Sequence, residues 1–544
     1  MNGPRATLAY RRLRAPRTPD SVLLDPPREA LEQVFRENRA SRQAAAARTF
    51  GGLPLGDLVR LARRELLVAA REHAERFELP WASEIQTGVD DPSVAITGHQ
   101  PQLFHPGVWF KNFVLAQIGR RTAACVVNLI VDNDTQRGAA IKVPSGSADA
   151  PQTAAVPWDD AGEEAPYEER TVRNDALFAS FADRVAATVG SLVARPLVQT
   201  VWPWVLDARR RTRHAGLLFS VGRNQLERRL GLETCDVPLS AVADGDAFRR
   251  LALELFERAD AFRETYNRVL AEYRASHRIR SRSHPVPELA REDDWVEAPL
   301  WCWSEQSPRR RRLFVRRAGD GFELTDRAGW RGLLPARLDG RLETSLETWR
   351  QWRATGVKIR PRALLTTLFS RLLLGDLFVH GIGGAKYDQL TDALFERFLE
   401  YPAPAFVTAT ATVMLPIEHA IVTSEEVRAI EQQVRASRFH PERWLTEQQL
   451  QDAYVAGLVD EKRRWLASAP PRGARLTRHR ALGALNEALQ AYLELQHESW
   501  KRELHDARLA AHRHALLASR EYSYCVFSQD DLPRRLLELS ARTS

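Results

Sequence analysis

At 544 residues the chain is too long for one ordinary core, and three or four folded units are expected at ~150 residues each. Its 44% hydrophobic and 27% charged composition excludes a disordered chain, and four dispersed cysteines (Cys125, Cys235, Cys302, Cys525) without a CxxC exclude a disulfide scaffold or a common zinc module. The net charge of +8 is carried almost wholly by arginine, so it is a weak argument for nucleic acid, and the runs Arg209-Arg210-Arg211 and Arg309-Arg310-Arg311-Arg312 read as solvated surface.

Residues 1–16 contain arginines but no apolar run, so no secretory leader is expected, and unpaired cysteines fit a cytoplasmic setting. Residues 1–90 read as a helical segment, with helical spacing over 29–48 and 55–77. The run Val94-Ala95-Ile96-Thr97 reads as a buried strand ending at Gly98, followed by a loop to Gly107, a helix over 108–122 and a second strand over 124–131. Strand, loop, helix and strand in that order make a βαβ unit with parallel strands. Residues 144–165 are turn-rich and read as loop, opening a mainly helical insertion over 144–284. Short strands follow over 297–325, with Gly319-Asp320-Gly321 as a hairpin turn.

A second βαβ-like segment begins at Lys358: a helix over 362–374, a strand over 376–380, a glycine loop over 381–384, a helix over 386–399 and a strand over 405–415. The stretch 364–382 is the most apolar, but Arg371, Asp376 and His380 within it argue against a membrane span. Residues 417–544 read as helical, opening on the capping box Thr423-Ser424-Glu425-Glu426. Leu482, Leu485, Leu489, Leu493 and Trp500 form a stripe that suits either a coiled-coil arm, and with it a homodimer, or a packed bundle helix. The expected fold is therefore α/β: a Rossmann-like parallel sheet core from two sequence-distant halves, 91–143 and 285–416, with a helical insertion and a helical C-terminus.

Two loops carry the candidate chemistry, because both leave a strand's carboxyl end and open a helix, where open parallel sheets bind ligands. In Thr97-Gly98-His99-Gln100-Pro101-Gln102-Leu103-Phe104-His105, imidazoles and amides are placed to donate to a charged oxygen developing during reaction. In His380-Gly381-Ile382-Gly383-Gly384-Ala385-Lys386, glycines cradle an anion and Lys386 adds a point charge; the alternative is a tight turn. A lysine in the first turn of the following helix would oppose the helix dipole by about 0.3–1 kcal/mol, unless a ligand reverses the local sign. Asp132-Asn133-Asp134-Thr135 ends the second strand and suits a magnesium ion or an amino group, or else is an Asx-turn. Of six lysines, Lys111, Lys142, Lys358 and Lys386 fall beside these motifs, in a chain that elsewhere uses arginine.

At these loops the sequence resembles the family of the cysteine-adding enzyme of bacillithiol biosynthesis (BshC). That family has a Thr-Gly-Gln-Gln-x-x-Leu-Phe loop followed by a helix with a lysine; here Thr97-Gly98-His99-Gln100-Pro101-Gln102-Leu103-Phe104 precedes Lys111. Its acidic Glu-Asp-His cluster is matched in place by Asn133-Asp134-Thr135, and its Arg-Pro helix and Val-Gly-Gly-Pro loop by Arg360-Pro361 and Val379-His380-Gly381-Ile382-Gly383-Gly384. The resemblance implies a nucleotidylyltransferase-like core, a coiled-coil dimer arm, and a ligase joining a cysteine carboxyl to the amine of a glucosaminyl malate. It implies a small-molecule substrate, with ATP or ADP and Mg2+ as candidate cofactors and no protein-held metal. His99, Gln100, Asp134 and Lys386 would be catalytic. Thr97, Gly98, His105, Lys111, Asn133, His380, Gly381, Gly383 and Gly384 would bind substrate or anion. Two other readings stay open: a non-catalytic scaffold with a decayed site that binds a protein through its C-terminal helices, and an RNA-binding protein, whose affinity would collapse with salt.

Overall fold

The computed structural model describes residues 8, 10, 12–335, 342–469 and 473–542, so residues 1–7, 9 and 11 of the segment read for a leader lie outside the described residues. The chain divides into two compact units, one of residues 1–143, 154–414 and 520–544, the other of residues 144–153 and 415–519. Among the described residues no helix is long and apolar enough to cross a membrane.

The first unit is built on a six-stranded sheet of β1 (Ser21–Asp25), β2 (Val94–His99), β3 (Cys125–Ile130), β4 (Thr234–Pro238), β5 (Leu377–His380) and β6 (Phe406–Thr412), in the order β1-β6-β5-β2-β3-β4. All neighbours from β6 to β4 are parallel, and β1 is antiparallel to β6. The fold is thus α/β with a mostly parallel sheet, as expected. Val94, Ala95 and Ile96 are fully buried, as suits an interior parallel strand that reads as a continuous apolar run. The helix Pro106–Thr122 links β2 to β3. The His105 side chain caps it by accepting from Gly107 N–H, Pro106 fills its first turn, and Ala123 ends it in the left-handed conformation.

Three expectations need correction. The N-terminal segment does form helices at Leu31–Ala44 and Leu55–Arg76, but it also supplies the edge strand β1. The helical insertion supplies β4, and residues within 144–165 are no mere loop, since Ala140–Gly146 pairs with Pro151–Pro157. Residues 520–544 return to the first unit, where the helix Leu532–Ala541 packs on the helix Pro106–Thr122. A second, antiparallel sheet runs through Trp295–Ser304, Ser307–Ala318, Gly321–Thr325, Arg331–Leu334 and Val357–Pro361, and its hairpin turns at Gly319, as the turn signal predicts.

The second unit is helical. The capping box at Thr423 opens the helix Ser424–Phe439, which lies antiparallel to Glu494–Leu517, joined by Arg508–Glu431 (2.6 Å) and Ser437–His497 (2.9 Å). The stripe 482–517 is not one helix: a 3-10 turn at Ala491–Leu493 separates Arg475–Gln490 from Glu494–Leu517. Leu489 and Leu493 bury against Leu445, Val455 and Val459, so part of the stripe serves an intramolecular bundle.

Candidate functional site

The chain passes from β2 outward to β3 and β4, then returns on the other side of β2 with β5 and β6. The strand order reverses between β2 and β5, and their carboxyl ends open a crevice, the place where open α/β sheets bind ligands. Residues Gly98 and Gly384, nearly three hundred positions apart, both line this one cavity of about 830 Å³.

Lys111 occupies the crevice floor. Its helix starts hard against β6, where a Cβ on Gly107 would lie 2.4 Å from the Ala411 carbonyl oxygen. The Lys111 side chain runs beside Gly381 and its Nζ donates to the Gly98 carbonyl at 2.7 Å, so it bridges the two strand ends. Burial, with Arg223 adding to it, pushes the ammonium down to about 7. A lysine poised there can give or take a proton near neutral pH.

The two histidines of the first loop hold opposite tautomers. His99 Nδ1 lies 3.0 Å from the Gln100 carbonyl, which can only accept, so Nδ1 carries the proton. Burial, reinforced by Lys111, pushes His99 down to about 3, which leaves Nε2 a bare lone pair. The expectation that His99 donates to a developing oxyanion is therefore corrected: its Nε2 is a neutral hydrogen-bond acceptor. His105 Nδ1 accepts from Gly107 N–H at 3.1 Å, so its proton sits on Nε2 and it is the donor of the pair. Gln100 Nε2 donates to Asp134 Oδ2 at 2.8 Å, which spends one of its two amide hydrogens on orientation.

Asp134 is held from three sides, by Gln100, by Thr135 N–H (2.8 Å) and by Arg310 (3.0 Å). Asn133 donates to the Pro361 carbonyl at 2.7 Å, tying the strand end to the second sheet. Thr97 is buried and its hydroxyl donates to Val379 O at 2.6 Å; it stitches β2 to β5 and does not line the cavity. Among the described residues no group of three His, Cys, Asp or Glu side chains is arranged to hold a metal ion.

The glycine motif is not a loop. The helix Ile382–Tyr387 begins inside it, so Gly383 and Gly384 belong to its first turn and Gly381 precedes it. Lys386 falls in that helix's last turn, which reverses the dipole argument: its charge is mildly favourable there without any ligand. It is exposed at the cavity's edge. Gly384 is required by His380, whose Nδ1 would lie 2.6 Å from an added Cβ. His380 Nε2 is bound to Asp388 Oδ2 at 2.8 Å, and Asp388 also takes Arg371 at 2.6 Å. Burial raises the Asp388 carboxyl, but Arg371 and His380 outweigh it and hold it well below the usual range.

Several cavity residues were not legible in the motifs. Arg310, from the run read as solvated surface, is half-buried and lies 4.8 Å over Trp301, while Arg362 lies 4.3 Å from the same ring. The available signal is that the run lies on a strand, where alternate residues face one side. Lys358 and Lys142 do not line the cavity: Lys358 is buried against Glu169 at 2.5 Å, and Lys142 is exposed on a hairpin. Among the described residues six cations line the cavity (Arg14, Lys111, Arg310, Arg362, Lys386, Arg520) against two carboxylates, Asp134 and Glu521, so the site favours an anion. No protein-family model matches this sequence, and no curated protein matches it significantly.

Proposed function

We propose that this protein is a carbon–nitrogen ligase of the BshC type, acting in the cytoplasm, that joins an amino-acid carboxylate (cysteine in that family) to an amine such as a glucosaminyl malate. The observation that carries the reading is the crevice between β2 and β5, where a neutral imidazole lone pair and a lysine of lowered basicity meet in a cavity with a surplus of cations. Amide formation needs those parts. The carboxylate, and any phosphate that activates it, requires positive charge, which Lys386, Arg362 and Arg520 supply at the walls. The amine must lose a proton before it attacks, and neutral Lys111 can accept it, while the His99 Nε2 lone pair can accept a hydrogen bond from the amine and orient it. His105 Nε2–H and the second amide hydrogen of Gln100 can donate to the oxygen that gains charge. On this reading the sheet is a Rossmann-like, nucleotidylyltransferase-like core.

ATP or ADP fits the donor set and the volume, since a cavity of about 830 Å³ with cationic walls and the Trp301 and Tyr266 rings suits a nucleotide. Bound there, ATP would supply the activation of the carboxyl. The described residues compose no carboxylate cage for Mg2+, whose ligands would have to include the phosphates themselves. The experiment is incubation of the purified protein with ATP, Mg2+, cysteine and an aminosugar conjugate, read by mass spectrometry. An amide product that disappears in Lys111→Met supports the reading; no product and no nucleotide binding reject it.

A second reading has its own observation. In the helical unit Leu495 is 87%, Ile421 72% and Tyr454 64% exposed, an unusual density of bare apolar side chains that suits a homodimer or a protein partner. A scaffold of that kind predicts partner binding unaffected by substitutions in the crevice.

A further inference from the structure

The arginine-bearing N-terminal segment has no part in the chemistry above, yet it reaches the same cavity. Residues 12–17 run without helix or strand, and Arg14 and Ala15 line the crevice. On one side the run is tied to β6, where the Thr412 hydroxyl donates to the Pro16 carbonyl at 2.6 Å. Two residues earlier on β6, Thr410 donates to Gly107 O at 3.1 Å, at the start of the helix that carries Lys111. On the other side the Tyr10 ring lies 5.4 Å from His277. His277 stacks on Tyr273 at 4.0 Å, and the Tyr273 hydroxyl donates to the Lys386 carbonyl at 2.8 Å. Residues 12–17 therefore touch the strand beside the first motif, and Tyr10 touches a ring pair that is bonded to the element carrying the second.

Its attachment is light. Tyr10 is 62% exposed, and a separate void of about 390 Å³ lies along the run between Arg12, Arg14, Arg17 and Leu23. A segment with so few buried contacts opens locally at low free energy. Arg14 is exposed and makes no ion pair among the described residues, whereas Arg310 and Arg362, deeper in the cavity, are matched to Asp134 and Glu297. A cation at a cavity rim without an acid of its own is placed to meet an acid brought by the ligand.

We propose that residues 12–17 are a strap that closes over an anionic ligand in the crevice, with the Arg14 guanidinium donating to the ligand's outer phosphate or carboxylate. The strap thereby sets which ligands stay bound, and the Tyr10 ring that precedes it, resting on His277 and through it on Tyr273, links closure to the position of the Lys386 turn. The inference rests on the reading that the cavity binds an anionic substrate.

The test uses the full chain. ATP, inorganic pyrophosphate and succinate are titrated by calorimetry against wild type, Arg14→Ala and Tyr10→Ala, and trypsin cleavage after Arg12 and Arg17 is followed by mass spectrometry with and without each probe. The expected result is protection of both bonds by a bound probe and about 10–100-fold weaker binding in Arg14→Ala, the scale of one charge-assisted hydrogen bond. Tyr10→Ala is expected to lose protection, with binding weakened less. Pyrophosphate protecting where succinate does not assigns the outer group to phosphate; the reverse assigns it to carboxylate. Probe binding equal in all three proteins, with both bonds still cut, overturns the strap while leaving the anion site standing. Failure of every probe to bind wild type overturns the anion site and the strap together.

Discussion

The two ends of β5 are both crowded with cationic side chains, arginines alone at the amino end and arginines with lysines at the carboxyl end, and the cations are matched differently. At the amino end Asp376 is fully buried and receives Arg63 through two bonds (2.9 and 2.8 Å), Arg42 and Arg39 (each 3.3 Å) and Val94 N–H (3.1 Å). Asp91 accompanies it, pairing with Arg39 at 2.9 Å. At the carboxyl end, Lys111 finds only a carbonyl, and Lys386 and Arg14 make no ion pair among the described residues. Cationic side chains thus serve architecture where each meets an acid, and at the other end Lys111, Lys386 and Arg14 have no acid of their own, where the proposed anionic ligand would supply one. Counting cations along the sequence cannot tell the two apart; the acids that complete the first cluster lie hundreds of residues from some of their partners.

That contrast is broken most strongly at its paired end. Removing Asp376 strands Arg63 in the core, and Asp376→Ala is expected to lose about 3–5 kcal/mol of stability in urea unfolding. Burial alone would raise the Asp376 carboxyl, but Arg63 and Arg42 outweigh it and hold it below its ordinary value. Its contribution is therefore present above the unfolded pKa and lost as pH falls through the lowered one, so the gap between wild type and Asp376→Ala should narrow in acid. A gap independent of pH would show that the carboxyl does not titrate with folding.

Lys111 costs stability where Asp376 contributes it, and the cost falls as pH rises. Its folded pKa of about 7 lies below the unfolded value, so the unfolded chain binds the extra proton, and wild-type stability should rise as pH increases from about 7 toward 10. Lys111→Met removes the buried charge. It is expected to be more stable than wild type near neutral pH, with the advantage shrinking toward pH 10, while any joining activity is lost. Unfolding curves at pH 6, 8 and 9.5 measure this; a Lys111→Met protein uniformly less stable than wild type would mean the lysine is structural.

The smallest expected effect separates positions within one motif. Thr97→Val gives up a buried bond to Val379 O and should cost about 0.5–1.5 kcal/mol with ligand affinity unchanged. A loss of affinity without a loss of stability would return Thr97 to the binding residues.

The sequence made the βαβ unit at 94–130 legible because its apolar run, capped helix and second apolar run are local signals. It also identified both segments that line the crevice, since a glycine after a buried strand is visible without knowing the partner strand, although the second, read as a loop, is the first turn of a helix. It did not reveal β1 or β4, each five residues long and defined by pairing with strands remote in sequence. Nor did it reveal Arg14, Arg310 or Arg362, whose place in the cavity is set by the sheet order and by a second sheet. The tautomers of His99 and His105 depend on single backbone contacts, and the dipole argument for Lys386 turned on a helix starting four residues earlier than its pattern suggests.

The unpaired cations at the carboxyl end of the sheet are proposed to meet an anionic substrate. Titration calorimetry with ATP at one fixed salt concentration, on wild type, Lys386→Ala and Lys386→Arg, tests this most directly. Wild type is expected to bind, Lys386→Ala to lose about 1.5–3 kcal/mol of affinity with folding stability within about 0.5 kcal/mol, and Lys386→Arg to lose part of it. Equal affinity in all three proteins, or no binding to any, would contradict the proposal.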